Sequence, residues 1–302
     1  MSEELQSLLT YLRISLDSFT PVETQYFARL KELLVFNGII TPTDPVDRTN
    51  ISDLVKEFQR NKMDIQQPDG IPGEETLWEL QKQWTIDRKL KLVSTGIPND
   101  AFQGSTIPFV LRSDVLPFYE KLYHTVHENG GMVTSTGSLR PINATVSAGR
   151  SATSMHYTGI ALDLDTNSGM TGAASGVYLI EKAGTKHWNV WNKVVSPMGS
   201  SRADEVVYHP ATKSISVNQQ TAQVIDFTDI ARQNGFSGIG SRACFPETYL
   251  CAEWWHFQCE DVLVPFISQF GAELLAVYDE RKLVAQAPIW NSRKKIFKRD
   301  WF

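Results

Sequence analysis

Cysteine and histidine are scarce in this chain, which has three cysteines and six histidines in 302 residues. The cysteines, Cys244, Cys251 and Cys259, lack CxxC spacing, which disfavours a zinc site built on thiolates. Their odd count also argues against a disulfide framework. We interpret them as reduced core thiols and keep a Cys244–Cys251 disulfide as the alternative.

The sequence also has no long hydrophobic run and no excess of positive charge. No apolar stretch reaches the roughly 18 residues that indicate a membrane helix, and 29 basic against 34 acidic residues give a net charge of −5. We therefore expect no membrane span and no nucleic-acid partner. The start, "MSEELQSLLTYLRISLDSF", lacks the basic and continuously apolar segments of a signal peptide. It predicts an amphipathic helix, residues 1–21, in a protein made in the cytoplasm.

Residues 22–85 predict a small three-helix domain. Apolar residues recur at helical spacing in "TQYFARLKELLVFNGI", whose Asn-Gly pair is a plausible left-handed end, and again in "ISDLVKEFQRNKM". A third helix follows the Pro-Asp-Gly turn of "QQPDGIPGEETLWELQKQW". Polar turns in residues 86–106 are typical of a linker.

Residues 107–302 predict an α+β domain with a central antiparallel sheet. "DVLPFYEKLYHTVHENGG" indicates a helix that ends at a glycine pair, whereas "MVTSTGSLRP" and "AEWWHFQC" indicate strands. An inserted section, about 166–225, predicts β-hairpins, and the tail "SRKKIFKRDWF" is basic. Helices flanking a mainly antiparallel sheet define the α+β class.

The stretch "SMHYTGIALDLD" contains an unusual alternation. Its apolar residues alternate with Ala161, Asp163 and Asp165, so a strand here would carry two carboxylates on one face. A buried strand does not usually point carboxylates inward without a partner. An arginine, a backbone turn or a metal ion could supply the positive charge.

The stretch "CAEWWHFQC" carries Glu253 and His256 three residues apart. In a regular strand they would face opposite sides, so a bulge or a strand end is needed to bring both to one site. With His156 and Asp163 they make a set of two imidazoles and two carboxylates. Catalytic zinc commonly takes three nitrogen or oxygen ligands and leaves a fourth position for water. The set predicts one Zn²⁺ on His156, Asp163 and His256, with Glu253 as general base.

Other residues have simpler interpretations. His124 and His127 lie three apart on a predicted helix and could bind a metal, but a solvated helix face is our interpretation. Asp165 is interpreted as structural or exposed. Either metal-site histidine alone could be a core residue, and the two motifs together favour the metal site. Trp254 and Trp255 would keep the site dry and raise the pKa of the neighbouring carboxylate.

These two motifs resemble those of the zinc D-Ala-D-Ala peptidase family. "SMHYTGIALD" fits its Ser-x-His-x-x-Gly-x-Ala-x-Asp motif, and "EWWH" is similar to its Glu-x-Trp-His motif. The resemblance implies the same metal ligands and the same base. It further implies that Arg140, in "GSLRP", binds the scissile carbonyl as the oxyanion develops, and that Ser154 helps to hold the substrate carboxylate. Trp255 is assigned to substrate binding.

The N-terminal helices resemble the peptidoglycan-binding domain found beside cell-wall hydrolases. The features that match this domain are Phe58-Gln59, the Asp69-Gly70-Ile71 turn, Gly73, Thr76 and Leu80. The resemblance implies peptidoglycan as the partner. A small helical domain without a ligand is the alternative.

Together the resemblances imply a zinc-dependent hydrolase of peptidoglycan stem peptides, in the first place a D-Ala-D-Ala carboxypeptidase. An L-Ala-D-Glu endopeptidase is the alternative, although family members with that activity tend to carry Asp where Glu253 stands. A non-catalytic cell-wall binding protein is a third possibility. Eighty-nine residues separate Asp163 from Glu253, so the family's fine specificity is not carried over. We expect the protein to reach the wall or periplasm as a phage endolysin released through a holin, or as an antibacterial effector delivered by a secretion system.

Overall fold

Helices and antiparallel sheets both contribute to the structure, a computed structural model. It is 36% helical and 18% strand, and this mixture of helices with antiparallel sheets agrees with the predicted α+β class. By contacts the chain forms two compact units, residues 1–90 with 263–302 and residues 91–262. The described residues are 3–13, 15–102, 106–146, 150–171, 176–194 and 200–299. Parts of the predicted linker (103–105), insertion (172–175, 195–199) and basic tail (300–302) lie outside them.

The first unit is helical. Its helices are α1 (Glu3–Leu12), α2 (Leu16–Phe19), α3 (Glu23–Phe36), α4 (Ile51–Lys62), α5 (Glu74–Asp87), α8 (Phe270–Leu275), α9 (Glu280–Gln286) and α10 (Arg293–Ile296). A 3-10 turn, Thr20–Val22, joins α2 to α3. The three predicted helices correspond to α3, α4 and α5. None of the helices in the described ranges of the chain is long and apolar enough to cross a membrane.

Apolar side chains at helical spacing build the core of this unit. On α3 they are Leu30, Leu33 and Leu34, which are fully buried, and they belong to one cluster with Val55 of α4 and Leu80 of α5. Full burial of such a side chain stabilises a fold by about 1.5–3 kcal/mol. The helix ends where predicted, because Gly38 adopts a left-handed conformation with φ +69° just after Asn37.

The C-terminal segment, 263–302, belongs to this helical unit, whereas the sequence placed it in the peptidase domain. The amide of Gln81 donates to the backbone carbonyl of Ile267 at 3.1 Å. The rings of Trp78 and Trp290 lie 5.8 Å apart. These contacts join residues about 200 positions apart in the chain. Local sequence patterns do not predict contacts at such a separation.

A buried glutamine connects the residues that carry the wall-domain resemblance. Gln59 is 3% exposed, and its amide nitrogen donates to Asp69 Oδ1 (2.7 Å), to the carbonyl of Ile71 and to Thr76 Oγ1 (both 3.2 Å). Its amide oxygen accepts from the backbone N–H of Gly70 at 2.9 Å. One side chain therefore fixes the turn between α4 and α5.

The second unit contains all the strands of the described residues. They are β1 (Leu92–Ser94), β2 (Val110–Arg112), β3 (Ala161–Asp163), β4 (Tyr178–Ala183), β5 (His187–Lys193), β6 (Ser200–His209), β7 (Ser214–Asp226), β8 (Phe236–Gly238) and β9 (His256–Cys259). Its α-helices are α6 (Leu116–Glu128) and α7 (Phe227–Gln233). Asp226 caps α7 by accepting from the N–H of Asp229 at 2.9 Å.

Three antiparallel sheets replace the single central sheet of the prediction. β1 pairs with β2, although Leu92–Ser94 was predicted as linker. The order β3-β9-β8 forms the sheet that carries both motifs. The predicted hairpins of the insertion form the sheet β4-β5-β7-β6. In the predicted strand "MVTSTGSLRP" the structure has an isolated bridge between Gly137 and Asp163 instead.

Two of the three cysteines form a disulfide, so their prediction as reduced thiols is wrong. Cys244 and Cys251 are joined with their Cα atoms 5.7 Å apart. The N–H of Thr248 donates to the carbonyl of Cys244 at 2.9 Å, and the N–H of Cys251 donates to that of Thr248 at 2.9 Å. These turns bring the two cysteines together. Cys259 is a free, buried thiol, as predicted.

Replacement of Gln59 by Leu should destabilise the helical unit by roughly 2–4 kcal/mol, because the buried N–H of Gly70 loses its partner. Urea unfolding followed by circular dichroism measures this loss. The control is Gln67→Leu at an exposed position of the same loop, which should change the free energy of unfolding by less than about 0.5 kcal/mol. Equal effects of the two substitutions would contradict the role given to Gln59.

Candidate metal centre

His156 lies in a 3-10 turn, Met155–Tyr157, that leads into β3. Ser154 is the N-cap of this turn, and its hydroxyl accepts from the N–H of His156 at 3.4 Å. The N–H of Thr158 donates to the carbonyl of Met155 at 3.1 Å and closes the turn. The serine two residues before the histidine thus has a local structural role.

Gly159 is the glycine of the first motif, and the backbone here requires it. Its φ is +72°, a conformation that side chains with a Cβ rarely adopt. A Cβ would also lie 2.9 Å from the backbone nitrogen of Arg112 and 2.5 Å from Leu92 Cδ2. The carbonyl of Gly159 accepts from that same Arg112 N–H at 2.8 Å. The glycine therefore lets the turn dock on the β1–β2 pair.

Strand register brings Asp163 and His256 together. β3 and β9 are antiparallel, and Asp163 is the direct partner of His256. Opposite residues of an antiparallel pair place their side chains on the same face about 5 Å apart. His256 is the first residue of β9, so the pair lies at the end of the two-strand ladder.

Glu253 reaches this end through an irregular backbone. Its φ is +56°, and its carbonyl accepts from the N–H of His256 at 3.1 Å, which makes a tight turn just before β9. The Glu-x-x-His pair thus spans a strand end, which is one of the two arrangements that the sequence allowed for both residues to serve one site. The side chain of Glu253 is 7% exposed.

Three side-chain atoms form a small triangle. His256 Nδ1 lies 3.0 Å from His156 Nε2 and 3.1 Å from Asp163 Oδ1, and the last two atoms are 3.1 Å apart. Both histidines are 5% exposed. The two rings are perpendicular, with centroids 4.7 Å apart. This group can hold a metal ion.

The donor set fits a tetrahedral ion closely. Ligands at about 2.1 Å from zinc and at the tetrahedral angle are about 3.4 Å apart, so the triangle is only a few tenths of an ångström tighter. His156 Nδ1 lies 2.5 Å from the carbonyl of Ser138, which can only accept. That contact places the proton on Nδ1 and leaves the Nε2 lone pair facing the triangle, as in metal-bound histidines.

Charge in the triangle favours a cation. Burial alone would lower the pKa of His156, but Asp163 and the Ser138 carbonyl outweigh it and raise that pKa. Burial alone would raise the pKa of Asp163, but His156 and His256 outweigh it and hold that pKa far below its usual range. Asp163 therefore stays ionised and attracts either a proton or a metal ion to the imidazoles.

For the pKa of Glu253, the effect of burial outweighs that of the neighbouring charges. Burial raises the pKa of its carboxyl above the ordinary value, although His256 and Arg242 act to lower it. Arg242 forms an ion pair with Glu253 Oε1 through Nη2. The two carboxylates of the site therefore differ in proton affinity, as acid–base partners in one site often do.

Arg140 lies next to the first motif. Its backbone N–H donates to the carbonyl of His156 at 3.1 Å, and its guanidinium donates to the carbonyl of Ser151 at 3.2 Å. The guanidinium carbon also lies 5.3 Å from the centroid of the Tyr157 ring. Its charge acts to lower the pKa of His156, so it is within electrostatic reach of the triangle.

Trp255, assigned to substrate binding, is 3% exposed. Its ring packs against Tyr249, with centroids 5.2 Å apart, and against Trp254 at 5.6 Å. Trp254 is 1% exposed, so both tryptophans are packed in the interior beside Glu253. Their rings contribute the apolar surroundings expected from the sequence.

The remaining candidates lie outside the triangle. His124 is exposed, and His127 Nε2 lies 2.9 Å from Asp100 Oδ2. Asp165 is 6% exposed and accepts from the N–H of Asn167 at 2.8 Å, so its carboxylate stabilises a turn. His124 and Asp165 agree with their interpretations, whereas His127 is half-buried against Asp100 instead of lying on a solvated helix face.

Sequence reasoning missed Arg242 and Ser138. Ser138 contributes only a backbone carbonyl, which no residue type reveals. Arg242 is two residues before Cys244 and Glu253 is two residues after Cys251, so a Cys244–Cys251 disulfide is the sequence signal that brings the arginine near Glu253. Comparisons of the chain with protein-family models, with curated proteins and with solved structures found no significant match.

Removal of one imidazole should remove the metal. His156→Ala and His256→Ala should each reduce the metal content of the purified protein from about one equivalent to well below half, because two ligands hold an ion weakly. Inductively coupled plasma mass spectrometry measures this. His124→Ala and His127→Ala are matched controls and should retain the metal. Metal loss in the control pair would show that the centre lies elsewhere.

Metal affinity should fall as the pH is lowered. In the metal-free protein the raised pKa of His156 keeps a proton on its imidazole to higher pH than in an ordinary histidine, and the metal must displace that proton. Below this pKa the apparent Kd should rise about tenfold per pH unit for each proton displaced. Titration against a chromophoric chelator at several pH values measures this. A Kd that does not change with pH would contradict it.

Proposed function

We propose that this protein is a zinc-dependent peptidase that hydrolyses the stem peptides of peptidoglycan, most specifically as a D-Ala-D-Ala carboxypeptidase. The observation that carries the proposal is the convergence of His156, Asp163 and His256 with the buried Glu253 beside them. These are the residues of the two motifs that resemble the zinc D-Ala-D-Ala peptidases. A ligand set alone has many uses, whereas a ligand set with an adjacent buried carboxylate suits hydrolysis.

Zinc is the ion that we propose for this set. Two imidazole nitrogens and one carboxylate oxygen are ligands of catalytic zinc sites. The same three ligand types also suit iron(II), which uses them with several open positions. Glu253 favours zinc, because a general base beside the metal serves hydrolysis and has no comparable use in oxygen chemistry.

The chain's own residues would divide the work as follows. Bound zinc would supply Lewis acidity and a more acidic water molecule. Glu253 would take a proton from the attacking water on a carboxylate oxygen and give it to the leaving amine, a role that its raised pKa suits. Arg140 would bind the oxygen of the scissile carbonyl as negative charge develops there.

The helical unit supports the choice of substrate. Its Gln59 network joins the residues on which the wall-domain resemblance rests. We propose that this unit binds peptidoglycan and so raises the local concentration of stem peptides at the hydrolytic unit. Because the wall lies outside the cytoplasm, the proposal includes delivery through a holin or by a secretion system.

Digestion of purified peptidoglycan followed by mass spectrometry tests the reaction. A carboxypeptidase releases free D-Ala from pentapeptide stems. Release of stem peptides with a new amino-terminal D-Glu would instead support the L-Ala-D-Glu endopeptidase. Binding to sacculi without any cleavage by the zinc-loaded protein would support a non-catalytic wall-binding protein. A chelator should abolish cleavage in the first two cases.

Glu253→Gln should reduce kcat by roughly 10²–10⁴-fold while the metal content stays unchanged, because a base is lost and a ligand is not. Release of product from a synthetic stem peptide gives kcat, and plasma mass spectrometry gives the metal content. Glu128→Gln, at an exposed position of α6, is the control and should keep full activity. Near-normal turnover by Glu253→Gln would show that another group is the base.

A further inference from the structure

The ion pair between Arg242 and Glu253 lies beside the candidate metal centre but takes no part in the ligand triangle. The Glu253 side chain is 7% exposed and that of Arg242 is 30% exposed. A carboxylate as buried as this one needs a nearby cation or donor to remain ionised. Arg242 therefore stabilises the charged form of Glu253 at the place where the proposed function needs it.

The backbone fixes the position of the Glu253 Cα but not the position of its carboxylate. Its φ of +56° and its carbonyl contact with the N–H of His256 hold the Cα in place. Three rotatable bonds separate that Cα from the carboxylate oxygens. An ion pair at the far end of the side chain removes this freedom, because a guanidinium binds a carboxylate with defined geometry.

Arg242 is itself held by a closed loop. It lies two residues before Cys244, and Glu253 lies two residues after Cys251, so the disulfide joins the chain just inside both charged residues. The N–H of Arg242 donates to the carbonyl of Cys251 at 2.8 Å. Arg242 and Glu253 therefore both lie at the base of the loop that the disulfide closes.

Aromatic rings anchor this loop to the inserted sheet. Phe245 packs against Trp188 of β5, with centroids 5.6 Å apart, and Tyr249 packs against Tyr208 of β6 at 4.9 Å. The indole N–H of Trp188 donates to the carbonyl of Ala252 at 2.7 Å, next to Glu253. The insertion thus supports the loop from which both charged residues extend.

We propose that Arg242 is a positioning residue, which fixes the carboxylate of Glu253 beside the metal ligands, and that the Cys244–Cys251 loop holds Arg242 in that place. The inference rests on the proposed function for its catalytic consequence. Its physical content, the coupling of two side chains, does not depend on activity.

A thermal double-mutant cycle on the full-length, metal-free protein tests the coupling. Arg242→Met should lower Tm by on the order of 5 °C, because it leaves a buried carboxylate without its partner. Once Glu253→Gln has removed that carboxylate, Arg242→Met should cost much less. The exposed pair Arg232→Met and Asp229→Asn is the control and should show additive effects. Additive effects of Arg242→Met and Glu253→Gln would overturn the proposal.

Kinetics of the metal-loaded protein on a stem peptide test the positioning role. Arg242→Met should lower kcat by about 10²-fold with KM within about twofold, as expected when a base is misplaced but substrate still binds. Arg242→Lys should recover part of kcat, and both variants should keep the metal. A kcat of Arg242→Met equal to or above that of the wild type would overturn the proposal. A wild type that cleaves no stem peptide rejects the proposed function, whereas the thermal cycle still decides the pairing.

Removal of the disulfide tests whether the Cys244–Cys251 loop holds Arg242 in place. Cys244→Ser with Cys251→Ser should lower kcat without loss of metal, because Arg242 is then less constrained. Adding Arg242→Met to this variant should cost clearly less than in the wild type. A wild-type kcat in the double serine variant, or a full additional effect of Arg242→Met, would overturn the role of the loop.

Discussion

The antiparallel pairing of β3 with β9 is the constraint on which the candidate centre depends. It sets Asp163 opposite His256, although the two residues are 93 positions apart in the chain. A shift of this register by one residue would turn one of these side chains to the other face of the sheet. The turn that carries His156 leads directly into β3, so the third ligand follows from the same strand. The pairing of two short strands therefore aligns two of the candidate ligands, and the turn before β3 adds the third.

The same site separates its two carboxylates by their surroundings. Asp163 faces two imidazoles, which hold its pKa low, while burial raises the pKa of Glu253 despite the nearby Arg242. The carboxylate of the candidate ligand Asp163 therefore holds its proton more weakly than an ordinary aspartate, and that of Glu253 holds its proton more strongly than an ordinary glutamate. Two chemically similar side chains differ in proton affinity because hydrogen bonds and charge from two imidazoles dominate at Asp163, whereas desolvation by burial dominates at Glu253.

What the sequence could predict depended on the distance along the chain. His156, Gly159 and Asp163 lie within eight residues, and the alternation from Ile160 to Asp165 was enough to predict a strand that carries Asp163. The Glu253–His256 spacing likewise required a bulge or a strand end. The disulfide and the partnership of Arg242 depend on the path of a loop, and the membership of residues 263–302 in the helical unit depends on contacts across most of the chain. Neither periodicity nor motif spacing records such contacts.

The discontinuity of the helical unit has a consequence for how the protein is synthesised. A ribosome finishes residues 1–90 long before residues 263–302, and Val264 and Ile267 belong to the same apolar cluster as the early helices. While the 91–262 unit is translated, the early helices therefore lack the apolar contacts that Val264 and Ile267 later supply. At about 5–20 residues per second this interval lasts on the order of ten seconds or more. All of the 91–262 unit, with the candidate metal ligands, is therefore synthesised before the helical unit has its last residues.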